Sequence, residues 1–261
     1  MNWGLIMPER FVASFLVLVF AGIVYSGEVL IDSEKYGSFS PGDRASIVRA
    51  EDSPFYDPGR KNNEKRRKVV KKDHVSEVVR DDRLINSEVR TVEAIRRVIE
   101  TAPALGVKQA AIKEGVPGLV LSEGEIPLTT SIASFPGGRF LAAAPSGTLE
   151  KGRWTGIGRW FEMEDGSVAH LTETDLDSSN GRVFFTPEGI NAEVHGKPAS
   201  TVDFDGENGR FLERVLWVHG KKNYLLMLLR PERSMGARIL KGEDQSPRES
   251  ALDMARKLPP S

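Results

Sequence analysis

The stretch FLERVLWVHGKKNYLLMLLR, residues 211–230, is the most apolar part of the chain beyond its N-terminal segment, and it decides the fold. It divides into two runs, Phe211–His219 and Asn223–Arg230, joined by Gly220-Lys221-Lys222. Runs rich in Val, Leu and aromatic residues on either side of a turn are typical of paired strands. Because apolar residues occupy consecutive positions, we expect both faces of this hairpin to be covered, which places it in the core.

The neighbouring sequence extends this pattern over residues 115–232. Short apolar or alternating runs are separated by Gly, Asn and Asp at intervals of roughly ten residues. No long helical pattern intervenes, which disfavours parallel β–α–β units. We therefore predict a mainly β domain, an antiparallel sandwich or small barrel. Besides the two runs above, the predicted strands are Leu119–Leu121, Ile126–Phe135, Arg139–Ala144, Trp154–Met163, Ser167–Thr172, Arg182–Thr186, Ile190–His195 and Thr201–Phe204.

A helical region is predicted before the β domain, over residues 66–114. Apolar residues between Val69 and Thr101 recur at spacings of three and four, which predicts an amphipathic helix. Pro103 is expected to end it, and a short second helix should follow over Val107–Lys113.

The remaining segments are a linker and a tail. Residues 27–65 are rich in Ser, Pro, Gly and charge without an apolar period, and we interpret them as a flexible linker with a basic end. The tail 233–261 contains Ser246-Pro247-Arg248-Glu249, the pattern of an N-cap, a first-turn proline and a capping-box acid. This pattern predicts a short C-terminal helix that ends near Leu258.

The N-terminus contains a run of sixteen residues without a charge, Phe11–Ser26. As a helix it would span about 24 Å, less than the ~30 Å hydrocarbon core of a membrane. Val24 and Ser26 are small residues placed as before a signal cleavage site. We predict that residues 1–26 are a cleaved signal peptide or an uncleaved signal anchor; a core helix of a cytosolic protein is the third reading. Either of the first two makes the protein periplasmic, secreted or anchored in the membrane by residues 11–31.

The composition is that of a globular protein and excludes several chemistries. Of 261 residues, 39% are hydrophobic and 28% charged, which excludes a wholly disordered, collagen-like or polytopic membrane chain. The absence of Cys excludes disulfides, thiolate zinc sites and thiol nucleophiles. The sequence has no Walker A or GxGxxG loop, and we predict no cofactor.

The formal net charge of −1 conceals two oppositely charged segments. Residues 60–72 contain eight Lys or Arg and one Glu, a net charge of +7. Between Glu162 and Gly209, eleven acids stand against two cations, a net charge of −9. The basic segment is either a contact for an anionic partner or a solvated junction between linker and helix. The candidate anion-contact residues are Arg66, Arg67, Lys68, Lys71 and Lys72.

Two acidic turns are weak candidates for binding a divalent cation. Asp175 and Asp177 open a stretch, continued by Ser178-Ser179-Asn180-Gly181, that alternates oxygen-bearing side chains as a calcium loop does. Asp203 and Asp205 lie in a second acidic turn. Ordinary turns favour the same residues, because Asp, Asn and Gly accept a positive φ. Paired carboxylates could alternatively serve acid–base hydrolysis.

Three histidines, His170, His195 and His219, lie on separate predicted strands. Imidazoles that converge from different strands can bind zinc, so a barrel could bring these three together. None of them has the spacing of a His-x-His or His-x-x-x-His pair, and we predict no metal.

One segment resembles part of a known family. Gly181-Arg182-Val183, Pro187-Glu188-Gly189-Ile190-Asn191 and Gly196 are similar to a segment in the N-terminal domain of the rhodanese-like tRNA hydroxylation family. The resemblance covers residues 181–196. The catalytic rhodanese domain of that family requires a Cys, which this chain lacks, so the resemblance implies no catalytic residue here.

These observations favour an exported or membrane-anchored envelope protein with a β-rich binding or assembly domain and no enzymatic activity. The expected partner is another envelope protein, an anionic polymer or a lipid surface; an uncleaved N-terminal segment would also contact the membrane. Nucleic acid is disfavoured, because no aromatic residue is interleaved with the cations of residues 60–72. The alternative is an exported hydrolase or polysaccharide-active enzyme that uses acidic residues of the β domain.

Overall fold

The computed structural model describes residues 38–40, 42–49, 66–70, 75–231 and 249–259. The predicted signal segment, most of the linker, Lys71, Lys72 and the Ser246 capping pattern lie outside these ranges, apart from Glu249. Within the described ranges, no helix is both long enough and apolar enough to cross a membrane.

The described chain is mainly β with a short C-terminal helix, which confirms the predicted class. The strands are β1 (Ala45–Ile47), β2 (Arg66–Val70), β3 (Val75–Arg80), β4 (Arg139–Glu150), β5 (Arg153–Glu162), β6 (Val168–Asp175), β7 (Val183–Phe185), β8 (Ala192–Val194), β9 (Lys197–Asp205), β10 (Phe211–His219) and β11 (Lys222–Arg230). The α-helices are α1 (Asp82–Leu105), α2 (Val107–Lys113) and α3 (Ala251–Lys257).

Nine of these strands form one open sheet. Their order is β2-β3-β9-β10-β11-β6-β5-β4, and β8 pairs with β9 beside this path. All pairs are antiparallel except β3 with β9. A separate parallel pair joins β1 to β7. The sequence predicted a sandwich or small barrel, whereas this sheet is covered by helices and irregular chain instead of a second sheet.

The hairpin β10–β11 lies in the middle of the sheet, as expected from its continuous apolar runs. Trp217 pairs with Tyr224, and their rings stack with centroids 4.9 Å apart. Trp217 is 1% exposed. Consecutive apolar positions are needed here because both faces of the hairpin are covered.

The two faces of the sheet carry separate cores. On the helix face, which α1 and α2 cover, Met227 and Leu229 pack against side chains of α1. On the opposite face, Leu226 and Leu228 pack with α3 and with residues 126–135, which we call the strap. Successive side chains of β11 therefore alternate between the two cores.

The strap was predicted to be a strand, as was Leu119–Leu121. Each contributes only an isolated bridge residue: Leu128 pairs with Trp154, and Val120 pairs with Ala143. Around Leu128 the strap bonds to Trp154 of β5, through the N–H of Thr129 and the carbonyl of Pro127. Further along, the backbone of Ala133 bonds to side chains of the sheet instead of to a neighbouring strand.

Helix α1 begins later and ends later than predicted. Its N-cap is Asp81, whose carboxylate accepts a hydrogen bond of 2.9 Å from the N–H of Leu84. Pro103 does not end the helix but lies in its last turn, where only one intrahelical hydrogen bond is lost. Residues 66–70 and 75–80, which were included in the predicted helical region, pair as the antiparallel strands β2 and β3.

Part of the predicted linker belongs to the fold. Residues 42–49 contain β1, which pairs with β7 in the register Ala45 to Val183. The ring of Phe39 lies 5.4 Å from that of Phe185. This segment is therefore docked on the β domain.

The C-terminal helix begins four residues after the predicted start. Its N-cap is Ser250, which forms a capping box with Asp253. The helix docks on the strap face through Glu213, whose carboxylate accepts a hydrogen bond of 3.0 Å from the N–H of Ala251. Glu213 is itself paired with the buried Arg230.

Candidate functional site

The basic candidates lie on a strand instead of a helix. Arg66, Arg67 and Lys68 belong to β2, the first strand in the order of the large sheet. In the described ranges β2 pairs with β3 alone. Three of the five candidate cations are therefore on an edge strand; Lys71 and Lys72 follow it outside the described ranges.

Asp175 organises a turn, and both of its carboxylate oxygens accept hydrogen bonds from the chain. Its carboxylate accepts hydrogen bonds from the N–H groups of Asp177 (3.0 Å) and Ser178 (3.1 Å), from Ser178 Oγ (2.6 Å) and from Thr129 Oγ1 (3.0 Å). Burial alone would raise the pKa of Asp175, but these hydrogen bonds outweigh burial and hold that pKa below its usual value.

Asp177 pairs with cations of the same chain. Lys221 Nζ lies 2.7 Å from its Oδ2, and Arg44 Nε lies 3.1 Å from its Oδ1. The hydrogen bonds from Lys221 and then Arg44 lower the pKa of Asp177. The aspartate thus joins the docked N-terminal segment to the turn between β10 and β11.

The second acidic pair lies on β9 rather than in a loop. Asp203 is buried opposite Glu213 of β10, and Asp205 is half-buried at the strand end opposite Phe211. Both aspartates interact with other groups of the fold. In the ranges that the structure describes, no three His, Asp or Glu side chains gather as metal ligands do.

The three histidines do not converge. His170 is buried on the helix face, where Nδ1 lies 3.3 Å from Glu88 of α1 and Nε2 lies 3.3 Å from Thr172 Oγ1. Its ring stacks on Trp160. Gly158 makes room for it, since a Cβ there would lie 3.0 Å from His170 Nε2. His195 and His219 do meet, at another end of the sheet, with ring centroids 6.3 Å apart.

Three buried charges under the strap, Arg159, Glu173 and Lys222, were not predicted from the sequence. Together with Asp175 they form a group that we call the pin cluster. Arg159 pairs with Glu173, and its Nη2 donates a hydrogen bond of 2.8 Å to the carbonyl of Ala133. Glu173 accepts a hydrogen bond of 2.9 Å from the N–H of Ala133. Lys222 donates to the carbonyl of Ser131.

Burial shifts the pKa values inside the pin cluster. It raises the pKa of Glu173, although Arg159 opposes this, and it lowers the pKa of Lys222, although Glu173 opposes that. One local signal could have revealed Arg159: it lies between Ile157 and Phe161 at alternate positions of β5, so its side chain points to a packed face.

A cleft of about 190 Å³ lies between α1 and the ends of β6 and β11. Its lining includes Arg96 and Arg230, which are engaged by Glu162 and Glu213 respectively. Apolar side chains, such as that of Val92, also line the cleft. None of the residues predicted as a site lines this cleft.

Comparisons with protein-family models, with curated proteins and with solved structures found no match. The functional inference therefore rests on the geometry of the described residues. Two arrangements stand out: buried charges that hold irregular chain on the sheet, and a concentration of cations on an edge strand.

Proposed function

We propose that this protein is exported or membrane-anchored and acts by binding or assembly through the basic edge of its β domain, without an enzymatic reaction. The position of Arg66–Lys68 on the edge strand β2 carries this proposal. An edge strand has a side that a partner can approach, and these three cations belong to a segment with a net charge of +7. The charge-free run Phe11–Ser26 supports export.

Three acids of the acidic segment pair with cations that lie outside the basic segment. Glu162 binds Arg96 and Arg139, and Asp177 binds Arg44 and Lys221. Glu173 binds Arg159. These acids are satisfied by cations from outside residues 60–72. An anionic surface or polymer of the envelope is the partner that the net charge of +7 of the basic segment would attract.

The test is binding to vesicles that contain anionic lipid. A cation near such a surface contributes about 1 kcal/mol, so replacing five should weaken binding by at least a hundredfold. The variant carries Gln at Arg66, Arg67, Lys68, Lys71 and Lys72. We expect the natural chain to bind the vesicles at about 50 mM salt and to dissociate from them by about 400 mM. The variant should not bind them.

The matched control removes five exposed cations elsewhere and changes the net charge equally. It carries Gln at Arg90, Lys108, Lys113, Lys151 and Arg153. Retained binding in this control, with loss in the first variant, would locate the contact on the basic segment. Equal loss in both would mean that net charge alone attracts the protein, and the proposal would be wrong. Parallel measurements with a soluble polyanion and with neutral vesicles separate lipid from polymer recognition.

A further inference from the structure

The docked N-terminal segment is held beside the turn between β10 and β11. We call residues 42–48 the latch. The carboxylate of Asp43 accepts hydrogen bonds from Lys197 Nζ (2.7 Å) and from the N–H of Gly220 (2.9 Å). In return, the N–H of Arg44 donates to the carbonyl of Gly220 at 2.9 Å. The latch therefore depends on a carboxylate at Asp43 and on the backbone of Gly220.

Two histidines lie at this docking point. His219 directly precedes Gly220, and His195 faces it from the end of β8 with ring centroids 6.3 Å apart. His195 Nε2 and His219 Nδ1 are buried without a hydrogen-bond partner in the described residues. A neutral imidazole has one nitrogen without a proton, whereas a protonated ring carries a donor on both nitrogens and needs two acceptors.

We propose that the latch is sensitive to pH: it stays docked while His219 is neutral, and protonation of that ring, which lies against His195, releases it. At neutral pH the charges of Asp43 and Lys197 cancel. A protonated His219 would give this partly buried group a net charge of +1. Asp43 is already paired with Lys197, so the added cation would repel Lys197.

The pKa of His219 is shifted in the direction that this mechanism requires. Burial lowers the pKa of His219, and Lys197 and His195 lower it further, against the attraction of Asp43. The docked state therefore binds protons less readily than a released one. Its stability is present at neutral pH and is lost as the pH falls below about 6.5, the ordinary value for His.

The acids at the latch keep their charge over that range. Burial alone would raise the pKa of Asp43, but hydrogen bonds from Lys197 and from backbone N–H groups hold it below its usual value. Asp177, which pairs with Arg44 and Lys221, likewise has a lowered pKa. His219 is therefore the group through which this contact responds to mildly acidic conditions.

The experiment is hydrogen exchange of the latch amides in the full chain, kept in mild detergent. The reporters are the N–H of Arg44, bonded to Gly220, and that of Val48, bonded to Phe185. After correction for intrinsic rates, we expect their protection to fall between about pH 7.5 and pH 5, by up to tenfold per pH unit for each proton taken up. Amides of β10 and β11 should stay protected. Constant protection of the latch would overturn the proposal.

Two variants separate the histidines from a general effect of acid. The double variant His195→Gln/His219→Gln should keep its latch protection independent of pH, and an undiminished acid response would overturn the proposal. If that variant does not fold, Lys197→Met gives a second test. In the Lys197→Met variant, Asp43 lacks its cation at neutral pH, so a protonated His219 can take the place of Lys197. Acid should then increase latch protection instead of reducing it, and an unchanged direction would also overturn the proposal.

Discussion

The helix face and the strap face of the same sheet are covered in different ways. Helix α1 satisfies its own backbone hydrogen bonds, so its contact with the sheet consists of an apolar stripe and a few side-chain contacts, such as that between Glu88 and His170. The strap has no regular hydrogen bonding, and the sheet supplies partners through the side chains of Arg159, Glu173 and Lys222. Irregular chain can therefore cover a sheet when charged side chains replace the missing ladder, at the cost of burying those charges.

The largest effect is expected from removing Arg159. The substitution Arg159→Met leaves Glu173 buried without its main cation, which should reduce the free energy of unfolding by about 3–5 kcal/mol. Urea denaturation measures this. The double variant Arg159→Met/Glu173→Leu should recover only part, because the N–H and carbonyl of Ala133 stay unpaired.

The control for this test lies on the helix face. The double variant Glu88→Leu/His170→Phe should cost less, because α1 still bonds its own backbone. If it costs as much as the strap-face double variant, backbone satisfaction is not what distinguishes the two faces.

A purely apolar change on the helix face should be large but independent of pH. Ile95 of α1 is fully buried. Truncation by Ile95→Ala should cost about 2–5 kcal/mol through the lost contacts and the cavity left behind. The same urea measurement at neutral and acid pH should give the same difference between natural chain and variant. A cost below about 1 kcal/mol would indicate that α1 is not firmly packed on the sheet.

The strap face should instead contribute to acid denaturation. The pKa of Asp175 is held below its unfolded value of 3.8, so its stabilisation is complete above that pH and is lost as the pH falls through the lower folded value. Asp175→Asn should cost about 1.5–3 kcal/mol at pH 7 and progressively less below about pH 3.8. A pH-independent cost would show that the amide loses packing or hydrogen bonds and that charge is not involved.

The smallest effect concerns the helix that covers the other part of the strap face. Ser250→Ala removes the N-cap of α3 and should cost about 1 kcal/mol, measured by thermal or urea unfolding. Ser250→Gly should cost only a few tenths of a kcal/mol. If both substitutions are neutral, the contact of Ala251 with Glu213 fixes the start of this helix without the cap.

The central strands could be predicted from the sequence because each is a long apolar run between turn residues. The hairpin β2–β3 could not, since its valines, such as Val75, Val78 and Val79, fit the helical spacing that continues into α1. Their β-branched side chains favour a strand, but pairing of β3 with β9 is a contact between distant residues that no local pattern encodes.

The sites show the same limit. The turn at Asp175 was recognisable, but its ligand-like oxygens are occupied by Thr129, a residue of the strap, and by Ser178. The C-terminal cap was ambiguous for a local reason: Ser246 and Ser250 each precede an acid by three residues, and the structure uses the second pattern. Packing of Ala251 and Leu252 on the strap face favours that choice.

The docking of β1 also affects how close to the membrane an anchored chain would hold its β domain. For a chain anchored through residues 11–26, 39 residues separate the anchor from β2, whereas eleven separate it from residue 38, the first described residue of the docked segment. Eleven residues extend at most about 40 Å. Effective concentration falls roughly as the −3/2 power of tether length, so docking should raise that of the domain at the membrane surface about sevenfold. A three-residue strand outside the large sheet would thereby strengthen any weak contact that the basic edge makes with the same membrane.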